Sequence, residues 1–272
     1  METPARRGLI LWTIAFLLTC AVAVFQRLTG PTYPVSGSLR VVHTDVAYHL
    51  KRSHEGQTDH PVRIVVPDTT VGGILEWKRL RADQEWNRIT MIREAELLIA
   101  PLPAQPAAGQ LLYRIVLHAG EVTAEIPPSG PVTIRFKGEV PLWILLPHIV
   151  VMFLAMLLST RARLEGFSSS PGPRRFVPWI LAALALGGFV LGPLLQKYAF
   201  DLWWTGWPFG SDITDNKTLI AFLVWVGAAV ALKKARHPVR WAIGAAIVTL
   251  LVYLIPHSLF GTGLDYATMQ KM

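Results

Sequence analysis

One apolar run, a polar block of about a hundred residues and then four more apolar runs follow one another along this chain. The runs are residues 8–25, 141–158, 176–195, 218–232 and 239–256. At 1.5 Å per residue, each of the first three reaches about the ~30 Å of a hydrocarbon core. Residues 218–232 are shorter, and the Trp-rich stretch before them extends them into an interface. The pattern predicts an integral membrane protein with five transmembrane helices and one extramembrane domain.

Within the polar block, residues 26–140, the period changes to two. Short alternating stretches recur at 39–42, 47–52, 62–66, 73–79, 97–101, 111–117, 122–126 and 132–137. Turn signals separate them, among them Pro67-Asp68, Gly72-Gly73, Pro103 to Gly109, Ala119-Gly120 and Pro127 to Pro131. Seven or eight short strands over this length predict an antiparallel β-sandwich. The fold class expected is therefore α+β: a β-sandwich joined at both ends to a five-helix bundle. Residues 111–117 are the expected central strand, with Trp77 and Trp86 the expected large core residues and Tyr113 buried beside them. Cys20 is the only cysteine, so the block holds no intramolecular disulfide, thiolate zinc site or iron–sulfur cluster.

The charge changes the picture by its placement. A net charge of +8 on a chain with only 16% charged residues suggests nucleic acid until the basic residues are located. Arg6 and Arg7 precede the first run; Arg161, Arg163, Arg174 and Arg175 lie between the second and third; Lys233, Lys234 and Arg236 lie between the fourth and fifth, with Arg240 at the start of the fifth. Such clusters mark the cytoplasmic side of helices. They place residues 1–7, 159–175 and 233–238 inside, and residues 26–140, 196–217 and 257–272 outside. The basic excess is a topology signal, and no nucleic-acid partner is expected. Ala21-Val22-Ala23 has the form of a signal cleavage site, but the apolar run exceeds an ordinary signal core, so the first run is read as a retained anchor.

Few residues offer chemistry. The chain has no Gly-x-Ser-x-Gly, Walker loop, dinucleotide fingerprint or His-Glu-x-x-His. His43, His49, His54 and His60 fall close together beside Asp45, Glu55 and Asp59. Imidazoles and carboxylates bind zinc or copper, but these spacings do not repeat, and solvated strand and loop histidines are expected. His148 lies near the outer end of the second helix, and His257 follows the fifth. Met152 and Met156 share the helical face of His148. A membrane redox protein would use His148, Met152 and His257 for copper or a b-type haem. The expectation is that there is no cofactor and that these residues pack the bundle. In the outer loop, Trp207, Pro208 and Phe209 suit an interface or a partner. Asp212, Asp215, Asn216 and Lys217 offer either helix capping or a ligand site.

The residues Gly73 to Arg79, then Trp86, Met91, Leu98-Ile99-Ala100-Pro101, Gly109 and Tyr113-Arg114-Ile115 resemble fibronectin-III or immunoglobulin-like modules of bacterial envelope proteins. The likeness implies a binding or positioning module and supplies no catalytic residue. The chain also resembles bacterial inner-membrane proteins of uncharacterised activity. These pair such a module with a helix like Pro147-His148 to Met152-Phe153 and a loop like Trp207-Pro208-Phe209-Gly210 to Lys217. The function expected is non-enzymatic: binding, scaffolding or assembly in the envelope, with the lipid bilayer and another envelope protein as partners.

Overall fold

The first apolar run winds into helix α1 (Pro4–Thr29). Its hydroxyls return to the helix itself: Thr19 Oγ1 donates to Ala15 O at 2.8 Å and Thr13 Oγ1 to Leu9 O at 3.1 Å. Gly30-Pro31 then breaks it. The computed structural model describes residues 4–80, 84–166, 172–257, 261, 263–266 and 268–271. The chain forms two units: a helical one of Met1–Pro31 and Val140–Gly261, and a β one of Thr32–Glu139 and Thr262–Met272.

The β unit opens with the antiparallel hairpin β1 (Val35–Val41) and β2 (Thr44–Leu50). The other strands before the second helix are β3 (Ser53–Glu55), β4 (His60–Val65), β5 (Gly72–Arg79), β6 (Asn87–Thr90), β7 (Ile92–Glu94), β8 (Leu97–Leu102), β9 (Gln110–Ala119), β10 (Val122–Ile126) and β11 (Val132–Lys137). A six-stranded sheet runs β3-β11-β9-β5-β6, with β10 also on β9, and a three-stranded sheet runs β4-β8-β7. All pairs are antiparallel except β3 with β11. Alternation sends Leu111, Tyr113, Ile115 and Leu117 of β9 into one core with Leu75, Phe136, Val62, Ile64, Leu98 and Leu102. Tyr113 is fully buried, and its hydroxyl donates to Lys51 O at 2.8 Å.

The two tryptophans expected in this core are not its large residues. Trp77 is half-buried at the edge of the cluster, and Trp86 lies over the opposite face of β5, between Lys78 and Arg114. Trp86 stands just before β6, outside the alternation that sets inward positions, and its ring attracts the two cations.

The rest of the helical unit comprises α2 (Leu142–Glu165), the 3-10 turn Pro173–Arg175, α3 (Val177–Leu184), the π-helical segment Ala185–Leu191, α4 (Gly192–Phe200), α5 (Ile213–Lys234) and α6 (Pro238–Leu254). Among the described residues, four helices are long and apolar enough to cross a membrane: Ala5–Thr29, Leu142–Glu165, Pro173–Phe200 and Ile213–Lys234. Pro238–Leu254 is apolar and shorter. Small residues bring these helices together: Ala155, Ala162, Ala221, Ala228, Ala242 and Ala245 are buried around Trp225. A Cβ on Gly187 would stand 2.6 Å from Met152 Sδ, and one on Gly188 would stand 2.4 Å from Thr218 Cγ2, so both glycines are required by close approach.

Two stretches expected as loop or tail are ordered differently. Helix α2 does not stop at residue 158 but continues to Glu165, carrying Arg161 inside with only 2% of its surface exposed. A charge ends a hydropathy run, yet Arg161 and Glu165 are one helical turn apart and form an ion pair, which Arg175 joins at 3.3 Å. The Arg161 guanidinium also lies 5.4 Å from the rings of both Trp12 and Phe176. Residues 167–171 of the expected inner loop lie outside the described residues.

Residues 264–271, expected in an outer tail, belong to the β unit. There β12 (Leu264–Asp265) pairs with β13 (Gln270–Lys271). Leu264 N donates to Ala108 O at 3.0 Å, and the Tyr266 hydroxyl accepts from Gln110 N at 2.9 Å and donates to Gln110 O at 3.2 Å. The Arg79 guanidinium lies 5.0 Å from the Tyr266 ring centroid.

Candidate functional site

The loop between α4 and α5 is built around one carboxylate. Asp201 ends α4 in the left-handed region, at φ 58°. A tight turn follows, in which Phe209 N and Gly210 N donate to Gly206 O and Asp212 N donates to Thr205 O, each at 2.9 Å. Asp215 Oδ2 then accepts from Thr205 N at 2.6 Å, Thr205 Oγ1 at 3.1 Å, Gly206 N at 3.1 Å and Gln196 Nε2 at 3.3 Å. Asn216 Oδ1 accepts from Trp207 N at 2.7 Å, and Asp212 Oδ1 caps α5 by accepting from Thr214 N at 2.7 Å. A Cβ on Gly206 would stand 2.6 Å from Asp215 Cβ, and one on Gly210 would stand 2.3 Å from Thr205 O. Asp215 Oδ2, Asn216 Oδ1 and Asp212 Oδ1, three of the acceptors that suggested a cation, thus take the loop's own donors. The tip is exposed: Trp207 and Pro208 face outward, and Phe209 has 83% of its surface free.

Lys217 turns away from this loop. It is only 5% exposed, and its Nζ donates to Ile255 O at 2.8 Å and lies 3.3 Å from His257 Nδ1. Gln26 of α1 donates to Tyr253 O and to Ile255 O. The end of α6, where carbonyls have no helical partner, is therefore closed by side chains from α1 and α5, one of them cationic. His148 Nδ1 donates to Gly187 O at 3.0 Å, inside the π segment. Met152 packs against the same glycine. Among the described residues no group of three or more His, Cys, Asp or Glu is placed to hold a metal.

The histidines of the β unit separate. His43 is exposed in the β1–β2 connection. His49 Nδ1 meets Ser36 Oγ across the hairpin at 2.8 Å. His54 Nε2 donates to Thr58 O at 2.9 Å. His60 corrects the expectation of solvated rings, because it faces inward at the start of β4 with 5% of its surface exposed. Its ring centroid lies 5.0 Å from that of His54. Burial, then the nearby His54, Lys51 and Arg63, push its pKa down to about 4. The neighbouring carboxylates are directed elsewhere: Asp59 Oδ1 accepts from Ala104 N at 2.8 Å, and Glu55 lies 3.4 Å from Lys137 Nζ.

Two charged clusters escaped the sequence reading. Glu76 is buried on the outward face of β5 and accepts from Arg88 at 2.9 Å and Arg114 at 2.7 Å. Those arginines are its direct cross-strand neighbours on β6 and β9, a pairing visible only once the register is known. The other is Arg161 with Glu165 and Arg175, whose one-turn spacing was a legible signal. No protein-family model matches the chain, and no curated protein or solved structure matches it either.

Proposed function

We propose that this chain is a bacterial inner-membrane protein whose β unit is an immunoglobulin- or fibronectin-III-like sandwich held in the periplasm. Its role is binding, scaffolding or assembly in the envelope. The observation that carries this reading is the outer loop. Asp212, Asp215 and Asn216 each accept backbone donors of the loop or helix start, while the loop's apolar tip Trp207-Pro208-Phe209 is exposed. That is the construction of a contact surface rather than of a catalytic centre.

Topology supports it independently. Residues 264–271 belong with residues 32–139, so an even number of crossings separates them. Helix α2, the continuous α3-to-α4 helix, α5 and α6 supply four. Helix α6 has 17 residues, about 26 Å at 1.5 Å per residue, and crosses as the shortest span. With α1, that makes five spans, the count the basic clusters require. Reporter fusions at Ser169 and Ala235 are expected to read cytoplasm, and fusions at Gly109 and Asp212 periplasm. A periplasmic signal at Ala235 overturns the reading.

The rival is a redox protein that uses His148 and His257 with haem b or copper. The purified protein is expected to show no Soret band and no stoichiometric copper. Either signal, abolished by His148→Ala, promotes the rival.

A further inference from the structure

A cleft of about 300 Å³ opens in the β unit between the end of β2, β3 and the start of β4. Its walls include His49, Lys51, His54, His60, Arg63 and Tyr113. Two features of it point to a ligand. His60 is only 5% exposed and lines the cleft, and among the described residues its ring makes no hydrogen bond, while its nitrogens keep access to the cleft. Next, the charges around the cleft are of one sign: Lys51 and Arg63 line it, while Glu55 and Asp59 are held by Lys137 and by the Ala104 amide.

This balance disfavours a cation. Lys51 and Arg63 repel a metal as they repel a proton on His60, and no carboxylate faces inward to offset them. It favours an anion, which ammonium, guanidinium and imidazole N–H groups all meet as donors. The volume is at the lower end of ligand pockets, fitting a small group.

We propose that this cleft is a binding site for a small oxyanion, a phosphate or a carboxylate group, held by Lys51 and Arg63 at the rim and by the ring of His60 at the floor. The site does not depend on the scaffolding role. It gives the β unit a ligand of defined chemistry. Burial first, and then the charges of His54, Lys51 and Arg63, keep His60 neutral; a bound anion offsets both, so binding and protonation of His60 reinforce each other. His49 and Tyr113 face the same space; the Tyr113 hydroxyl already donates to Lys51 O, and His49 is bonded to Ser36.

The experiment is a histidine-ring NMR titration of the full chain in detergent, with inorganic sulfate and, separately, with acetate. Sulfate keeps its charge over the range in which His60 responds; acetic acid ionises within that range, so the acetate series is run at constant acetate-ion concentration. The His60 signal is assigned by its loss in His60→Gln. Saturating anion is expected to raise the His60 pKa by about one unit or more, which is about tenfold tighter binding to the protonated ring. A response to sulfate alone identifies a tetrahedral oxyanion, and a response to acetate alone or to both includes the carboxylate. Lys51→Met together with Arg63→Met, both at exposed positions, is expected to weaken binding about tenfold while the β unit stays folded. No shift with either anion, or unchanged binding in that double variant, overturns the proposal.

Discussion

In the helical unit several polar side chains reach for backbone carbonyls, whereas in the β unit they reach for one another or for a loop. Lys217, Gln26, His148 and Arg174 each donate to a main-chain oxygen, at Ile255, Tyr253, Gly187 and Leu232. Trp225 donates to Thr249, which passes the bond on to Ala245 O. Helix ends and a π segment leave carbonyls unfilled, and an apolar surrounding makes an unfilled one costly. In the β unit the ladders have already consumed the backbone groups. Glu76 therefore pairs with Arg88 and Arg114, and Arg93 donates to the loop oxygens of Val66, Asp68 and Val71. His60 does neither, and its ring opens onto the cleft. The lesson is that regular structure decides which kind of partner a polar side chain finds.

The pair that departs from the helical pattern gives the largest expected effect. Glu165→Gln leaves Arg161 buried without its carboxylate and is expected to destabilise the helical unit by ~3–5 kcal/mol. Replacing both residues with methionine is expected to recover most of it. Thermal unfolding of the protein in detergent measures both, and an unchanged midpoint in Glu165→Gln would show that the pair contributes nothing.

In the β unit the corresponding test is apolar. Tyr113→Ala is expected to cost ~3–5 kcal/mol in a urea melt of the excised unit, residues 32–139 joined to 263–271 by a short linker. Trp77→Ala, at a half-buried ring, is expected to cost markedly less. Equal losses would mean that the edge of the core is as tightly packed as its centre.

Next comes His60. The unfolded ring takes up a proton below its ordinary 6.5, but the buried ring does so only near 4. The unfolded state therefore binds more protons in that window. Stability is complete above about pH 6.5 and falls as pH drops toward 4, by up to about 3 kcal/mol. His60→Gln is expected to flatten this slope, and a slope unchanged by the substitution would assign the loss to other groups. The smallest effect expected is in the tail: Tyr266→Phe removes both bonds to Gln110 and is expected to cost about 1 kcal/mol in the same urea melt.

Much of this architecture could be read from spacing. Alternation located Val122–Ile126 and Val132–Lys137 with the bounds the strands have, and it put Tyr113 inside. The short strands β3, β6 and β7 are invisible to it, because three or four residues carry too little pattern and their pairing is decided by neighbours. The hydropathy reading ended α2 before Arg161 because it weighs a charge singly, while the structure neutralises it one turn later at Glu165. In the outer loop, Gly206, Pro208 and Gly210 announced a defined turn, which is present. That Asp215 would hold it, rather than an ion, depends on Thr205 and Gly206 amides whose direction exists only after folding. His60 was expected in solvent because it was read with its histidine neighbours; in the strand it shares the inward face of Val62 and Ile64.

The docking of Leu264 and Tyr266 on Ala108 and Gln110 has a consequence for synthesis. A ribosome makes residues 32–139 first, then every remaining helix, and only then the residues that complete the same unit. Until α6 and the residues after it have been translated, the backbone amide of Gln110 waits without the tyrosine hydroxyl. The closing hairpin therefore forms only after all the described helices have been made, and a product truncated at any point in the bundle lacks the residues that cover Ala108 and Gln110.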